Sequence, residues 1–164
     1  MMANCGRRTA VLVLLAAAVA ACGRREAAPQ FNYTLLNGTQ AHSDDLRGQV
    51  VLVNFWATSC AVCVAEMPQI VATHQQFSAR GLRTLAVAMR YDAPASVAHY
   101  AETRKLPFGV VIDNTGDIAS RFGNVDATPT TFVIDKQGAI AQRIVGAPDF
   151  VALQALIDRL LREV

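Results

Sequence analysis

The chain has 164 residues, of which 52% are hydrophobic, with 15 basic and 13 acidic side chains. This length and apolar content predict one globular domain with a substantial core, and they argue against intrinsic disorder. The net charge is small and no stretch combines Lys and Arg with aromatic residues, so nothing in the sequence indicates nucleic-acid binding.

Residues 1–21 have the features of a bacterial export signal. Arg7 and Arg8 precede an apolar segment from Ala10 to Ala21. That segment is too short to span a bilayer permanently, so we predict a signal peptide rather than a membrane anchor. Without the two arginines, the basic and acidic residues of the mature protein balance.

The signal peptide ends in a pattern similar to a lipobox, with small residues at 19–21 followed by Cys22. We predict that Cys22 becomes a lipidated N-terminus on the periplasmic side; an uncleaved anchor or an ordinary signal peptide is the alternative. An Asp directly after the lipidated cysteine would favour retention in the inner membrane. Gly23 occupies that position here, which favours the outer membrane. We predict that residues 22–30 form a short tether and that residues 31–164 form the folded domain.

A small hairpin is predicted ahead of the main core. Apolar residues alternate at Phe31, Tyr33 and Leu35, and Asn37-Gly38 follows them. Asn-Gly after an alternating segment is the strongest short-range signal for a β-hairpin.

The central feature of the sequence is a buried strand that runs into a pair of cysteines. Val50–Trp56 is an apolar run, interrupted only by Asn54, of the kind found in strands buried on both faces. Thr58 or Ser59 can then cap a helix that begins near Cys60, where free N–H groups and the helix dipole favour a thiolate. Cys63 lies one turn further on, so the two sulfurs can form and reopen a disulfide.

Strands and helices alternate through the rest of the chain, which predicts parallel pairing with right-handed crossovers. The predicted helices are 60–80, a segment starting at Pro94, a short one at 116–122, and 150–162 after the cap Asp149. The predicted strands are 82–89, 108–112, a run that begins at Pro129 within the stretch 125–135, and 140–145. Pro129 stands at the start of a β-branched run, the position in a strand where a missing N–H is tolerated.

These residues carry a clear resemblance. Phe-Trp-Ala at 55–57, Cys60-x-x-Cys63 and Glu-Met-Pro at 66–68 resemble the TlpA/ResA branch of the thioredoxin superfamily, over about residues 30–164. The resemblance implies an α/β thioredoxin-like fold, in which a central mixed β-sheet is flanked by helices and preceded by an N-terminal hairpin. Ser59 and Val62 depart from the Trp and Pro that the family usually has, so the reduction potential is left open.

The resemblance also implies how the residues act. Cys60 would be the nucleophile and Cys63 the resolving cysteine, with no cofactor beyond their redox-active disulfide. Thr128–Pro129 would be a cis peptide bond facing the cysteines, which leaves the backbone of Thr128 free to pair with an extended substrate. Trp56 would contribute to substrate binding beside the pair.

For partners, the resemblance implies protein disulfides and dithiols in the bacterial envelope. Reducing power would come from a membrane carrier of the DsbD or CcdA type, and apocytochrome c is one substrate, which suggests a part in cytochrome c biogenesis. We expect a monomer that contacts the membrane through its lipid anchor and binds no metal.

Glu66 admits two interpretations. It follows Cys63 by three residues, so it shares a helix face with the sulfurs, and at this position the resemblance implies a role in proton transfer and in tuning the thiol pKa. A solvated glutamate on the helix surface is the ordinary alternative. The buried Asp of thioredoxin itself is replaced here by Asn54, which cannot titrate.

Other functions for the cysteine pair are weaker. Val64 replaces the His that haem attachment needs, and no second cysteine pair completes a zinc site. A thiol peroxidase on the same fold is suggested by Thr58, two residues before Cys60. A Sco-type copper chaperone would need a wider cysteine spacing and a distant His.

Overall fold

A β-hairpin precedes the main sheet. The computed structural model describes residues 25–163, in which β1 (Asn32–Thr34) pairs antiparallel with β2 (Gln40–His42). Between them Gly38 has a φ of 85°, a conformation that glycine adopts without strain. The hairpin predicted from Asn37-Gly38 is therefore confirmed.

The main sheet consists of β3 (Val50–Trp56), β4 (Leu82–Ala88), β5 (Gly109–Ile112), β6 (Thr130–Ile134) and β7 (Ile140–Val145). Their spatial order is β5-β4-β3-β6-β7. Strands β3, β4 and β5 are parallel, whereas β6 runs antiparallel to both β3 and β7. The sheet is therefore mixed, as predicted, and every residue of its central strand β3 is buried.

Among the described residues, the α-helices are α1 (Ala61–Phe77), α2 (Pro94–Thr103), α3 (Asp117–Arg121) and α4 (Phe150–Arg162). Alternate residues of β3 point to opposite faces of the sheet. Leu52 and Trp56 pack with α1, α2 and α4, whereas Val53 and Phe55 pack with α3 and the hairpin. Within residues 25–163 no helix is both long enough and apolar enough to cross a membrane.

Helix α1 is shorter than the sequence predicts. It ends at Phe77, and Ser78–Arg80 continue as a tighter 3-10 turn before Gly81 takes a left-handed conformation with a φ of 106°. Gly81 ends the helical segment as predicted, but the turn before it is a tighter 3-10 turn because the chain must reverse into β4.

Residues 25–28, which the sequence predicts as tether, are bound to the domain. Ala28 donates its backbone N–H to the carbonyl of Gly138 at 2.9 Å. The guanidinium of Arg25 contacts the buried carboxylate of Asp135, also at 2.9 Å. This part of the tether prediction is wrong, because the backbone of these residues pairs with the turn between β6 and β7.

Candidate active site

The two predicted redox cysteines form a disulfide at the amino end of α1. Cys60 is the N-cap of the helix, and its Sγ accepts a hydrogen bond from the backbone N–H of Cys63 at 3.1 Å. Their Cα atoms lie 5.2 Å apart, within the usual range for a disulfide. When the pair is reduced, the same N–H and the positive end of the helix dipole favour a thiolate at Cys60.

The two sulfurs differ in their access to solvent. Cys63 is completely buried, whereas Cys60 is partly exposed. Of the two residues, only Cys60 therefore presents surface to a visiting protein. This difference fits the predicted order of attack, in which Cys60 reacts first with the substrate and Cys63 reacts only with Cys60.

A cis proline faces the sulfur pair. The Thr128–Pro129 peptide bond is cis, as the resemblance implies. Because Thr130 of β6 is paired with Phe55 of β3, the start of β6 lies beside the end of β3 and the cysteine turn. The carbonyl oxygen of Thr128 is 3.6 Å from Sγ of Cys60. The structure thus brings the segment with Cys60 and the segment with Pro129 together.

Glu66 is buried on the sheet-facing side of α1, with only 5% of its surface exposed. Its Oε1 accepts a hydrogen bond from Nδ2 of Asn54 at 3.1 Å, and Asn54 also donates to Thr131 at 3.0 Å. Burial raises the pKa of Glu66 to about 7, and the hydrogen bond from Asn54 opposes that rise only in part. The alternative of a solvated surface glutamate is therefore wrong.

Trp56 lies beneath the site and not in it. Its side chain is completely buried and packs on the ring of Tyr100, with centroids 5.1 Å apart, in the same core cluster as Cys63. A side chain with no exposed surface cannot contact a visiting protein, so the predicted substrate-binding role of Trp56 is wrong. Its position as the last residue of β3 points it to the α1 face, where it supports the cysteine turn.

Two residues that the sequence did not reveal also reach this site. Asp92 is buried and accepts two hydrogen bonds from Thr58, and the hydroxyl of Tyr91 is 3.2 Å from the side-chain oxygen of Thr128. Both follow β4, which is parallel to β3. The carboxyl ends of neighbouring parallel strands share one edge of the sheet, and that rule would have placed this loop near Cys60.

Cys22, the predicted lipidation site, lies outside the described residues. Within residues 25–163 no group of three His, Cys, Asp or Glu side chains is placed to hold a metal ion. The copper-chaperone alternative therefore finds no ligand set in this part of the chain.

Comparisons with known proteins find relatives that include thiol-disulfide oxidoreductases. Residues 25–143 match the model of the AhpC/TSA family. Thiol-disulfide oxidoreductase ResA of Geobacillus kaustophilus is 35% identical over 151 residues, which cover 85% of this chain and 86% of that protein. The thioredoxin-like protein YneN of Bacillus subtilis is 33% identical over 133 residues, 80% of this chain and 76% of the other.

A solved structure shows the same fold. A thiol:disulfide interchange protein of the thioredoxin family from Chlorobium tepidum superposes with a TM-score of 0.77 at 27% identity, over 84% of this chain and 97% of the other. The likeness extends over nearly the whole of that chain, so the described residues share its thioredoxin-like fold.

Proposed function

The chain belongs to the TlpA/ResA-like thiol-disulfide oxidoreductases of the thioredoxin superfamily, and we propose that it reduces disulfide bonds in proteins of the bacterial envelope. Its family has protein dithiols and disulfides as substrates. The observation that carries the proposal is the partly exposed residue Cys60, bonded to the buried Cys63 and close to cis-Pro129. Apocytochrome c is one candidate substrate.

The reaction begins from the reduced pair. The thiolate of Cys60 attacks one sulfur of the substrate disulfide; the substrate S–S bond breaks, and its other sulfur leaves as a thiolate that takes up a proton. Cys63 then loses its proton and attacks Sγ of Cys60. The Cys60–Cys63 disulfide forms, the second substrate thiol leaves, and two electrons have passed to the substrate.

Glu66 is the group we propose to receive the proton of Cys63. It lies one helical turn beyond Cys63 on the buried face of α1, and its pKa of about 7 allows it to hold or release a proton near neutral pH. As a carboxylate it also disfavours a thiolate nearby, which makes the reduced pair less stable and the protein more reducing. The disulfide is the only redox group that the proposal requires.

The reduction potential decides the direction of use. We expect equilibration with glutathione to give a value near that of thioredoxin, about −270 mV, rather than that of the oxidant DsbA, about −120 mV. The measurement uses the wild-type domain in glutathione mixtures of known ratio, with the oxidised fraction read by thiol labelling. A value close to that of DsbA would reverse the proposal and make the protein a disulfide donor.

The same samples test the peroxidase alternative. The hydroxyl of Thr58 donates its hydrogen to Asp92 at 2.6 Å, so that hydrogen is not available to a peroxide at Cys60. Rapid consumption of hydrogen peroxide by the reduced domain, without comparable reduction of a protein disulfide, would favour the peroxidase. For the reducing direction, we propose a membrane carrier of the DsbD or CcdA type as the dithiol donor.

A lipid on Cys22 would hold the disulfide away from the membrane. Residues 25–28 pair with the turn that follows β6, whereas Pro129 precedes β6. The five residues of β6 separate these two ends by roughly 15 Å. Only Gly23 and Arg24 stand between Cys22 and the docked segment, so the redox site of an anchored protein would lie at the end of β6 that is further from the lipid.

Anchoring is tested by replacing the cysteine. Cys22→Ala, expressed with its own leader, is expected to abolish incorporation of labelled palmitate and to release the protein from the membrane fraction. Cys5→Ala is the matched control, since it removes a cysteine from the leader without touching the predicted modification site. A Cys22→Ala protein that stays labelled and membrane-bound would contradict the proposal.

A further inference from the structure

The loop between β4 and α2 contacts both chain segments that face each other across the sulfur pair. Tyr91 and Asp92 are neighbours in this loop. Asp92 bonds to Thr58, two residues before Cys60, and Tyr91 bonds to Thr128, the residue before cis-Pro129. One short loop therefore joins the cysteine turn to the proline turn.

Asp92 is built to hold the cysteine turn. Its side chain is 7% exposed; Oδ2 accepts the backbone N–H of Thr58 and Oδ1 accepts the Thr58 hydroxyl, each at 2.6 Å. Such short hydrogen bonds to a carboxylate are the strong kind. The turn that they fix continues through the bond from the N–H of Cys60 to the carbonyl of Ala57 at 3.1 Å.

Tyr91 acts on the opposite side of the site. Its ring is 59% exposed, yet its hydroxyl lies 3.2 Å from the side-chain oxygen of Thr128. The carbonyl of Thr128 in turn lies 3.6 Å from Sγ of Cys60. A large exposed ring fixed by its far end is a ready contact for a polypeptide that approaches the sulfur.

Strand pairing explains how this loop reaches the site. Ala88 of β4 is in register with Trp56 of β3, and the N–H of Met89 donates to the carbonyl of Trp56 at 3.0 Å. The residues that follow β4 must therefore lie beside those that follow β3. Pro94 then starts α2, which leaves a loop too short to move far from the cysteine turn.

We propose that Asp92 and Tyr91 are positioning residues for disulfide exchange: Asp92 sets the reactivity of Cys60 through Thr58, and Tyr91 sets the binding of protein substrates through Thr128. The proposal rests on the proposed function, because it assigns parts in the same reaction. It concerns rates and equilibria of the cysteine pair, which are measurable whichever direction the protein works in the cell.

For Asp92 the readout is the pH profile of Cys60 alkylation in the reduced domain. Thr58→Val removes one hydrogen bond and keeps the negative charge, whereas Asp92→Asn removes the charge and weakens both bonds. If Asp92 acts by holding the cysteine turn, both variants loosen that turn and weaken the hydrogen bond from the N–H of Cys63 to Cys60. Alkylation at neutral pH then slows, by about tenfold for Asp92→Asn. The double variant should then resemble Asp92→Asn alone.

Asp113→Asn is the matched control. Asp113 is also buried, follows the neighbouring parallel strand β5, and accepts two backbone N–H groups, from Ile118 and Ala119. We expect it to lower stability without changing the alkylation profile. Faster alkylation in Asp92→Asn with no change in Thr58→Val would show that Asp92 acts by charge alone and would overturn its positioning role, as would an equal effect from Asp113→Asn.

For Tyr91 the readout separates large substrates from small ones. Tyr91→Phe is expected to raise KM for reduction of insulin about fivefold, the effect of one lost hydrogen bond, and to leave the equilibrium with glutathione unchanged. Tyr33→Phe, in the hairpin away from the sulfurs, is the control. An unchanged KM for insulin, or an equal effect on the reactions with insulin and with glutathione, would overturn the role proposed for Tyr91. Failure of the wild type to reduce insulin at all would instead refute the proposed function.

Discussion

Cys63→Ser is expected to accumulate mixed disulfides between Cys60 and its substrates. The serine hydroxyl cannot attack Sγ of Cys60 to form a disulfide, so the second half of the reaction stops after the first has occurred. Turnover should be lost completely, while one equivalent of protein substrate becomes covalently bound. Non-reducing electrophoresis of the reduced variant incubated with a disulfide-containing protein measures this directly, and the bound species should disappear on addition of dithiothreitol.

The control is the reciprocal variant. Cys60→Ser keeps a thiol at Cys63, but Cys63 is completely buried and should form almost no adducts. Equal trapping by both variants would mean that a substrate reaches either sulfur, which contradicts the order of attack derived from their exposure. Absence of any adduct in Cys63→Ser, in a protein that still folds, would remove the basis for disulfide exchange through Cys60.

The parts of this site that the sequence predicts are those with a local pattern. The apolar run at 50–56 predicted β3. Cys60 lies at a helix start as predicted, but the predicted caps Thr58 and Ser59 are wrong, because Cys60 is itself the N-cap and the hydroxyl of Thr58 donates to Asp92. Pro129 at the head of a β-branched run predicted the start of β6. Each of these features depends on residues close together in the chain, so pattern and propensity are sufficient to find them.

What the sequence could not predict depends on how elements pack. Spacing places Glu66 on the face of α1 that carries Cys63, but only docking of that helix on β3 shows that the face is buried. The burial of Trp56 agrees with the strand predicted to be covered on both faces, and it is the substrate-binding role assigned by resemblance that the packing rules out. No local pattern marks Asp92, since its two hydrogen bonds are made to a residue 34 positions away, and only the order of the strands points to its loop.

Asn54 and Glu66 show how the two kinds of information combine. The alternation of β3 puts Asn54 on the α1 face, opposite Glu66, so a neutral amide and a titratable carboxyl share one buried position behind the sulfurs. Thioredoxin itself carries its acid on the strand, and in this chain the acid comes from the helix. In the proposed reaction the proton-handling group therefore belongs to α1, one helical turn beyond the resolving cysteine, and not to the strand.

Glu66→Gln is expected to change how stability depends on pH. In the folded protein burial raises the pKa of Glu66 from 4.5 to about 7, so between these values the folded state binds its proton more tightly than the unfolded chain. The free energy of unfolding of the wild type therefore falls as pH rises through this window, by about 3 kcal/mol from this group. Glutamine has no proton to lose, so the variant lacks this fall.

The measurement is urea unfolding of the oxidised proteins at pH 4.5 and pH 8, because neither cysteine titrates in the disulfide form. Between pH 4.5 and pH 8, the free energy of unfolding of the wild type should fall by about 3 kcal/mol more than that of Glu66→Gln. Glu102→Gln, on the exposed side of α2, controls for the loss of one negative charge.

Parallel pH profiles for Glu66→Gln and the wild type would mean that Glu66 ionises as easily in the fold as in water, and it could not then serve as a proton acceptor near neutral pH. In the reduced proteins the same substitution should change the pH dependence of thiol alkylation, because a carboxylate beside Cys63 opposes formation of a second negative charge. A stability difference without that change would make Glu66 a buried acid with no part in the exchange reaction.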